Sequence, residues 1–243
     1  MSSRKAVGHE TLERISGTLS RYNAWMFAQL SPALGEEILE VGAGIGNLSA
    51  FVADRRRVCL TDVNATYLNQ LSDRFGQQGN VSVHAWDLGT PAPEALEPGS
   101  FDTVICLNVL EHIRDDRAAL RRMYDLLKPG GRLALLVPAH AFLYNGLDKE
   151  LDHFRRYQKP GLQQLLEESG FHVHKLWYFN ALGALGWFVN GTLLKKQLLP
   201  SGQMKLFDRL VPLLKLERMV SLPFGISLIA LAEVPPAESE VTP

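Results

Sequence analysis

Cysteine is almost absent: Cys59 and Cys106 are the two in 243 residues, and each sits inside an apolar run that reads as a buried strand. Two thiols so placed exclude a disulfide-stapled scaffold and a cysteine-rich structural zinc site, and they suit a reducing compartment. An excess of one charge is also lacking. With 25 basic and 26 acidic residues the formal charge is −1, so nothing draws the whole chain to nucleic acid, and no nucleic-acid partner is expected. There is no internal repeat, and low complexity is confined to 235–243, which reads as a flexible tail. The opening MSSRK has two basic side chains and no apolar stretch behind them, unlike a secretory signal, so a cytoplasmic location is expected. No G-x-S-x-G nucleophile elbow occurs. What remains is an ordinary globular composition, 46% hydrophobic and 21% charged, at a length suited to one large domain over 1–243.

Apolar residues at Leu12, Ile15, Leu19, Tyr22, Met26 and Leu30 recur at helical spacing until Ser31-Pro32 ends the run. Short apolar runs then follow at 38–41, 58–61, 81–84, 101–107 and 132–137. Helical patterns separate several of them: Leu48, Phe51 and Val52; then Tyr67, Leu68, Leu71 and Phe75 behind a capping Asn64; then Ala119, Leu120, Met123 and Leu127 behind Asp115 or Asp116. Strands alternating with helices, several of the strands apolar on both faces, predict a doubly wound α/β fold with a mostly parallel sheet. A helix at 162–168 and strands at 171–179 and 226–233 complete the pattern. About forty residues separate the last two strands, too many for a hairpin loop, so 180–222 reads as an inserted helical cap.

The central motif is Ile38-Leu-Glu40-Val-Gly42-Ala-Gly44-Ile-Gly46-Asn47, a strand running into three alternate glycines and then a predicted helix. Glycines here permit a sharp turn and a close backbone approach to a ligand. Asn47 stands where a dinucleotide fingerprint has its last glycine, and the carboxylate of Glu40 would repel a pyrophosphate but suit a cationic group. Asp62 ends the second strand, where a carboxylate can accept both hydroxyls of a ribose; helix capping is its rival role. Asp87 follows the third strand at the same sheet edge, able to take an exocyclic amine or to serve as a turn residue. Together they describe a nucleoside with a positive charge and no phosphate.

These motifs, with Trp86-Asp87-Leu88, Leu107-Asn-Val-Leu-Glu-His112 and Leu126-Leu-Lys-Pro-Gly-Gly131, resemble in order those of class I S-adenosylmethionine-dependent methyltransferases, over roughly residues 20–180. The resemblance implies a seven-stranded sheet with its last strand antiparallel, and S-adenosylmethionine as cofactor with S-adenosylhomocysteine as product. It further implies that Gly42, Gly44 and Gly46 pass under the methionine part, with Glu40 shaping that site. Asp62 would bind the ribose, Val63 would pack on the adenine, and Asp87 and Leu88 would contact its edge. Asn108 and Val109 would line the floor near the sulfonium. Tyr22 resembles a residue that closes over the cofactor; core packing is its alternative.

Methyl transfer from a sulfonium is an in-line displacement, so a base is needed only where the acceptor must lose a proton. The fourth-strand exit, Asn108-Val-Leu-Glu111, lacks the Asn/Asp-Pro-Pro-aromatic motif of relatives that methylate adenine or glutamine amino groups. The Leu-Glu-His tract resembles ubiquinone-type O-methyltransferases, in some of which carboxylates and this histidine hold a metal. Asn108 and Val109 offer no carboxylate here, so no metal is expected, and His112 is read as structural. His153, in Asp152-His-Phe-Arg155-Arg156-Tyr157, is the candidate catalytic residue, with a solvated loop histidine as the alternative. Arg156, Tyr157 and Trp187 are candidate acceptor-binding residues, an arginine being suited to an anionic acceptor.

Between Lys175 and Arg218 seven basic residues face two acidic ones, a local charge of +5 that leaves −6 on the rest. From Leu176 to Leu194 no residue is charged and five are aromatic. About twenty apolar residues are needed to span a bilayer, but Asn180, Asn190 and three glycines interrupt this run. A helix packed on the domain or a cap touching membrane is the better reading. The function expected is methyl transfer to a small hydrophobic or lipid-linked acceptor, most simply at oxygen, by a monomer or homodimer. A non-catalytic cofactor-binding module of a membrane-associated pathway, and an NAD-dependent oxidoreductase, are the alternatives.

Overall fold

A computed structural model describes residues 19–196, 201–219 and 222–236, with the side chains of Ser201, Arg218 and Met219 left out. Leu12, Ile15 and most of the 235–243 tail lie outside the described residues. Seven strands form one sheet in the order β3-β2-β1-β4-β5-β7-β6. β1 (Glu37–Val41), β2 (Arg57–Asp62), β3 (Val81–Ala85), β4 (Phe101–Leu107) and β5 (Leu127–Pro138) are mutually parallel. β7 (Ser227–Glu233) lies antiparallel between β5 and β6 (His172–Phe179).

Side chains alternate across the strands, as the two-residue period requires. Leu39 and Val41 of β1, with Val104 and Cys106 of β4, pack under α3 (Asp116–Leu126) and α5 (Lys159–Glu168). Ile38 and Ile105 face the other way, toward α1 (Ser20–Leu30) and α2 (Ala65–Phe75). Both faces are covered, which is why the central strands β1, β4 and β5 read as apolar runs. Capping follows the sequence: Asn64 accepts the Thr66 N–H at 2.9 Å and Asp115 that of Ala118 at 2.9 Å.

One predicted helix is absent. The connection after β1 makes turns and a single 3₁₀ turn, Ser49–Phe51, where Leu48, Phe51 and Val52 suggested a helix face. Gly42, Gly44 and Gly46 all take positive φ and use up the first half of the connection. In the remainder Val52 is fully buried while Phe51 stays exposed, stacked on Phe27.

Strand order reverses between β1 and β4, so the crevice beyond their carboxyl ends is where a ligand binds in such sheets. β5 and β6 are both antiparallel to β7, so β6 delivers the chain to that same edge. There the chain forms α6 (Ala181–Trp187), a π turn (Phe188–Leu193), α7 (Ser201–Leu214) and a 3₁₀ turn (Lys215–Met219) before β7. Asn180 anchors this insertion in the left-handed region at φ 65°, its side chain accepting the Gly183 N–H at 2.7 Å. Glu217 accepts the N–H groups of Asn180 at 2.7 Å and Ala181 at 3.1 Å. Across the seam Asp208 of α7 accepts the Tyr22 N–H of α1 at 2.9 Å.

Candidate active site

The glycine loop leaves β1 against the exit of β4. Gly42 has φ 71°, and a Cβ there would fall 2.3 Å from Val109 Cγ2; one at Gly46, φ 78°, would fall 2.6 Å from Phe75 Cε2. Only glycine permits both the backbone turn and these contacts. Asp62 Oδ2 accepts the Gly44 N–H at 2.9 Å and Oδ1 the Asn64 N–H at 2.8 Å. The carboxylate thus clamps the loop to the end of β2, and Asn64, not Asp62, caps α2. Burial pushes the Asp62 pKa up, while these N–H groups oppose the shift. Beside it Val63 stands exposed at the edge.

Glu40 is buried at the start of the loop, and Ser49 Oγ donates to its Oε2 at 2.6 Å. Burial, and to a lesser degree the nearby Asp62, pushes the Glu40 pKa up to about 7 against the pull of that hydrogen bond. Asp87 is exposed and accepts the Gly89 N–H at 2.8 Å, so its turn role is real. The Leu88 side chain is spent in the core, so any contact it makes with a ligand comes from its main chain. Asn108 is exposed at φ 53° just past β4. Tyr22 packs in the seam against Trp25, Phe179 and Phe207, and burial raises its hydroxyl to about 12, with Asn180 bonded to it.

A second cluster of buried polar side chains is built from the loops after β4 and β5. Its hub is Asp148, a fully buried residue of the short α4 (Gly146–Glu150). Its Oδ2 accepts the Asn145 N–H at 3.0 Å within a capping box; its Oδ1 meets His153 Nδ1 at 2.9 Å and accepts from Arg156 Nε at 2.7 Å. Burial would raise its pKa, but His153, Arg156 and the Asn145 N–H together hold it below the usual carboxylate range. His153 Nε2 then lies 3.9 Å from Glu111 Oε1. Glu111 is fully buried and neither carboxylate oxygen has a hydrogen-bond partner; burial pushes its pKa up to about 8. His112 stands edge-on to His153 with ring centroids 4.8 Å apart. Burial, with His153 beside it, lowers its pKa to about 4 although it bonds the main chain of Asp152, the backbone bridge expected of it.

Arg156, under the Trp187 ring at 4.8 Å, also donates to the Ala139 carbonyl at 3.1 Å. Trp187 Nε1 is buried without a partner. Arg155 is a surface pair with Asp116 at 2.6 Å. Tyr157 sits in the core and donates to Asp116 at 3.0 Å, behind the site rather than in its wall. The fold therefore brings His153, Arg156 and Trp187 together and sets Tyr157 apart. Among the described residues Glu111, His112 and His153 form one group whose ligand atoms lie within 4.8 Å of one another and could receive a cation. Glu111 and Asp148 were not singled out from sequence. Asn145-x-x-Asp148 is a capping-box pattern, a sequence signal for the start of α4 that does not reveal the burial of Asp148.

Comparison with known proteins matches residues 39–133 to the family model described as a methyltransferase domain. A ubiquinone biosynthesis O-methyltransferase of Xanthomonas axonopodis pv. citri (strain 306) is 32% identical over 163 residues, 61% of this chain and 67% of that protein. The chain belongs to the class I S-adenosylmethionine-dependent methyltransferases. A ubiquinone/menaquinone C-methyltransferase of Vibrio campbellii is 33% identical over 138 residues, 54% of this methyltransferase and 52% of that protein. The chain spans 43 to 67% of the length of the first curated relatives it matches. In fold it resembles a chain from the complex of the Haloferax volcanii Trm112 methyltransferase activator with a methyltransferase, at TM-score 0.65 and 15% identity, with 97% of each chain covered.

Members of this family take their methyl group from S-adenosylmethionine, and the site suits that cofactor. The left-handed glycine loop, the carboxylate of Asp62 at the end of β2 and the buried Glu40 fit a cationic nucleoside. The same Glu40, with Asn47 in place of a fingerprint glycine, counts against a nicotinamide dinucleotide.

Proposed function

We propose that this methyltransferase methylates a small hydrophobic or lipid-linked acceptor at a hydroxyl oxygen, with His153 as the base. The observation that carries this reading is the buried pairing of His153 Nδ1 with Asp148 Oδ1 at 2.9 Å, beside a Glu111 carboxyl group whose two oxygens have no hydrogen-bond partner. Asp148 fixes the imidazole with Nδ1–H toward it, so Nε2 is the atom left to take the acceptor's proton. Glu111, whose pKa burial raises to about 8, is protonated at neutral pH and donates its O–H to the same acceptor oxygen, and Arg156 and Trp187 form the wall against which the acceptor packs. Glu40, Gly42, Gly44, Gly46, Asp62, Val63, Asp87, the main chain of Leu88, Asn108 and Val109 would hold the cofactor, and Tyr22 would flank it. When bound, S-adenosylmethionine supplies an electrophilic methyl group, and positioning does much of the rest.

The insertion at 180–222 acts as a cap over the acceptor and is the part that would touch a membrane. Its mixture of apolar and basic side chains supports that assignment. The chain is read as a cytoplasmic protein, monomeric or homodimeric, with no nucleic-acid partner. The O- and C-methyltransferases among its relatives leave carbon as the second candidate for the methylated atom. A cofactor-binding module without turnover is the competing reading.

The test uses S-adenosylmethionine labelled on its methyl group, incubated with the full chain and either the lipid or the aqueous extract of the host cell. Label in lipid is the expected result. Label confined to the aqueous fraction would discard the lipid-linked acceptor. Label in neither, with cofactor bound by calorimetry, would favour the non-catalytic module.

A further inference from the structure

Large apolar side chains are not spread evenly over this surface. Of the thirteen that stand exposed among the described residues, nine are leucines between 182 and 222. Leu185, Leu193, Leu194, Leu206, Leu213 and Leu216 are each more than half exposed. Isolated exposed leucines are ordinary, but such a concentration within one insertion marks an interaction surface.

The geometry of α7 shows how this surface is made. Met204, Asp208 and Val211 form its buried side, and Phe207 and Leu214 pack along the same side. At 100° per residue, Leu206, Arg209 and Leu213 fall opposite that buried side, with Lys205 flanking them, and the exposed Leu216 follows in the 3₁₀ turn. The helix is therefore apolar on two sides, one spent on the core and one turned outward with basic residues set among the leucines. The π turn carrying Leu193 is tied to α7 by Asn190 Nδ2 donating to Gln203 Oε1 at 2.8 Å, so the two segments hold together.

Charge selects the occupant. The insertion holds two carboxylates, and both are turned inward: Asp208 accepts the Tyr22 N–H, and Glu217 accepts those of Asn180 and Ala181. Among the described residues no carboxylate pairs with Lys195, Lys196, Lys205, Arg209 or Lys215. The outward charge is thus entirely positive. A second copy of the same face would set these cations against one another, whereas an anionic lipid surface would neutralise them while taking the leucines below its headgroups. No helix among the described residues is long and apolar enough to cross a membrane, which fits contact from one side.

We propose that the outward face of the 180–222 insertion docks on an anionic bilayer and so holds the catalytic edge of the sheet toward the lipid. The inference deepens the lipid-linked reading above and rests on it for its purpose, though not for its evidence. The experiment is co-sedimentation of the full chain with phosphatidylcholine vesicles, with and without phosphatidylglycerol. Binding is expected only with the anionic lipid and should weaken as salt is added. Lys205→Gln with Arg209→Gln should lower partitioning by roughly 30-fold. Leu206→Ser with Leu213→Ser should lower it too, with cofactor binding and melting temperature held as folding controls. Equal binding to both vesicles, or to neither, would overturn the proposal. A dimer by light scattering that the leucine variant dissolves would assign the face to a second copy instead. Vesicle binding with no label entering lipid in the extract assay would leave the docking face standing and remove the lipid-linked acceptor.

Discussion

At the scale of single residues the site is an economy of buried carboxylates. Asp148 is kept ionised by a histidine, an arginine and a main-chain N–H, whereas Glu111 and Glu40 are left with raised pKa values. For Glu40 the shift from 4.5 to about 7 corresponds to roughly 3 kcal/mol favouring the protonated form in the fold. A folded pKa above the unfolded one means this stability is complete below the unfolded value and is lost as pH rises through about 7. Cofactor-free protein should therefore melt progressively lower as pH rises from about 4.5 to about 7 and level off above that, and S-adenosylmethionine should bind more tightly as pH rises toward 7 and an ionised Glu40 meets its cationic group. Calorimetry across that range in wild type and Glu40→Gln checks both: the variant should show a flattened dependence, and an unchanged slope would move the effect to Glu111. His153→Ala should lower kcat by roughly a hundred- to ten-thousand-fold with cofactor affinity intact. Turnover of the wild type should also survive a chelator. Loss on chelation, recovered with a divalent cation, would reassign Glu111, His112 and His153 as ligands.

At the scale of elements the sheet was legible because its central strands are buried on both faces and so appear as apolar runs. The glycine loop was legible because its positive φ values demand glycine. The segment after it was not, since Leu48, Phe51 and Val52 have helical spacing while the chain is already committed to turns. The loop gives a prediction of its own. Gly42→Ala adds about 1–2 kcal/mol for an L residue at φ 71°, and its Cβ collides with Val109. Val109→Ala in the same chain should relieve the collision but not the backbone strain, so denaturant melts of the double mutant should recover stability in part. Full additivity of the two losses would show that the loop and the β4 exit are not in contact. The cluster around Asp148 was half legible: His153 and Arg156 stood out by type, but Glu111 looked like one member of a common tract. Tyr157 looked no different from a pocket residue, since nothing in its neighbours tells which side of the loop it faces.

At the scale of the molecule the decisive feature is where the insertion leaves the sheet. Because β6 ends at the same edge as β4 and β5, the basic leucine-rich segment and the His153–Asp148 pair share one end of the protein. The charge follows the same division, +5 from Lys175 to Arg218 against −6 elsewhere, so the protein should approach an anionic surface with its catalytic edge leading. Turnover on an acceptor carried in anionic vesicles should then fall steeply with ionic strength, because salt screens the approach. Turnover on the same acceptor in neutral detergent should change little, since the chemistry depends on buried groups that salt screens weakly. A rate assay on both, at matched acceptor concentration, separates orientation from catalysis. Equal salt dependence in detergent and vesicles would place the effect in the active site and leave the charge asymmetry without a role in turnover.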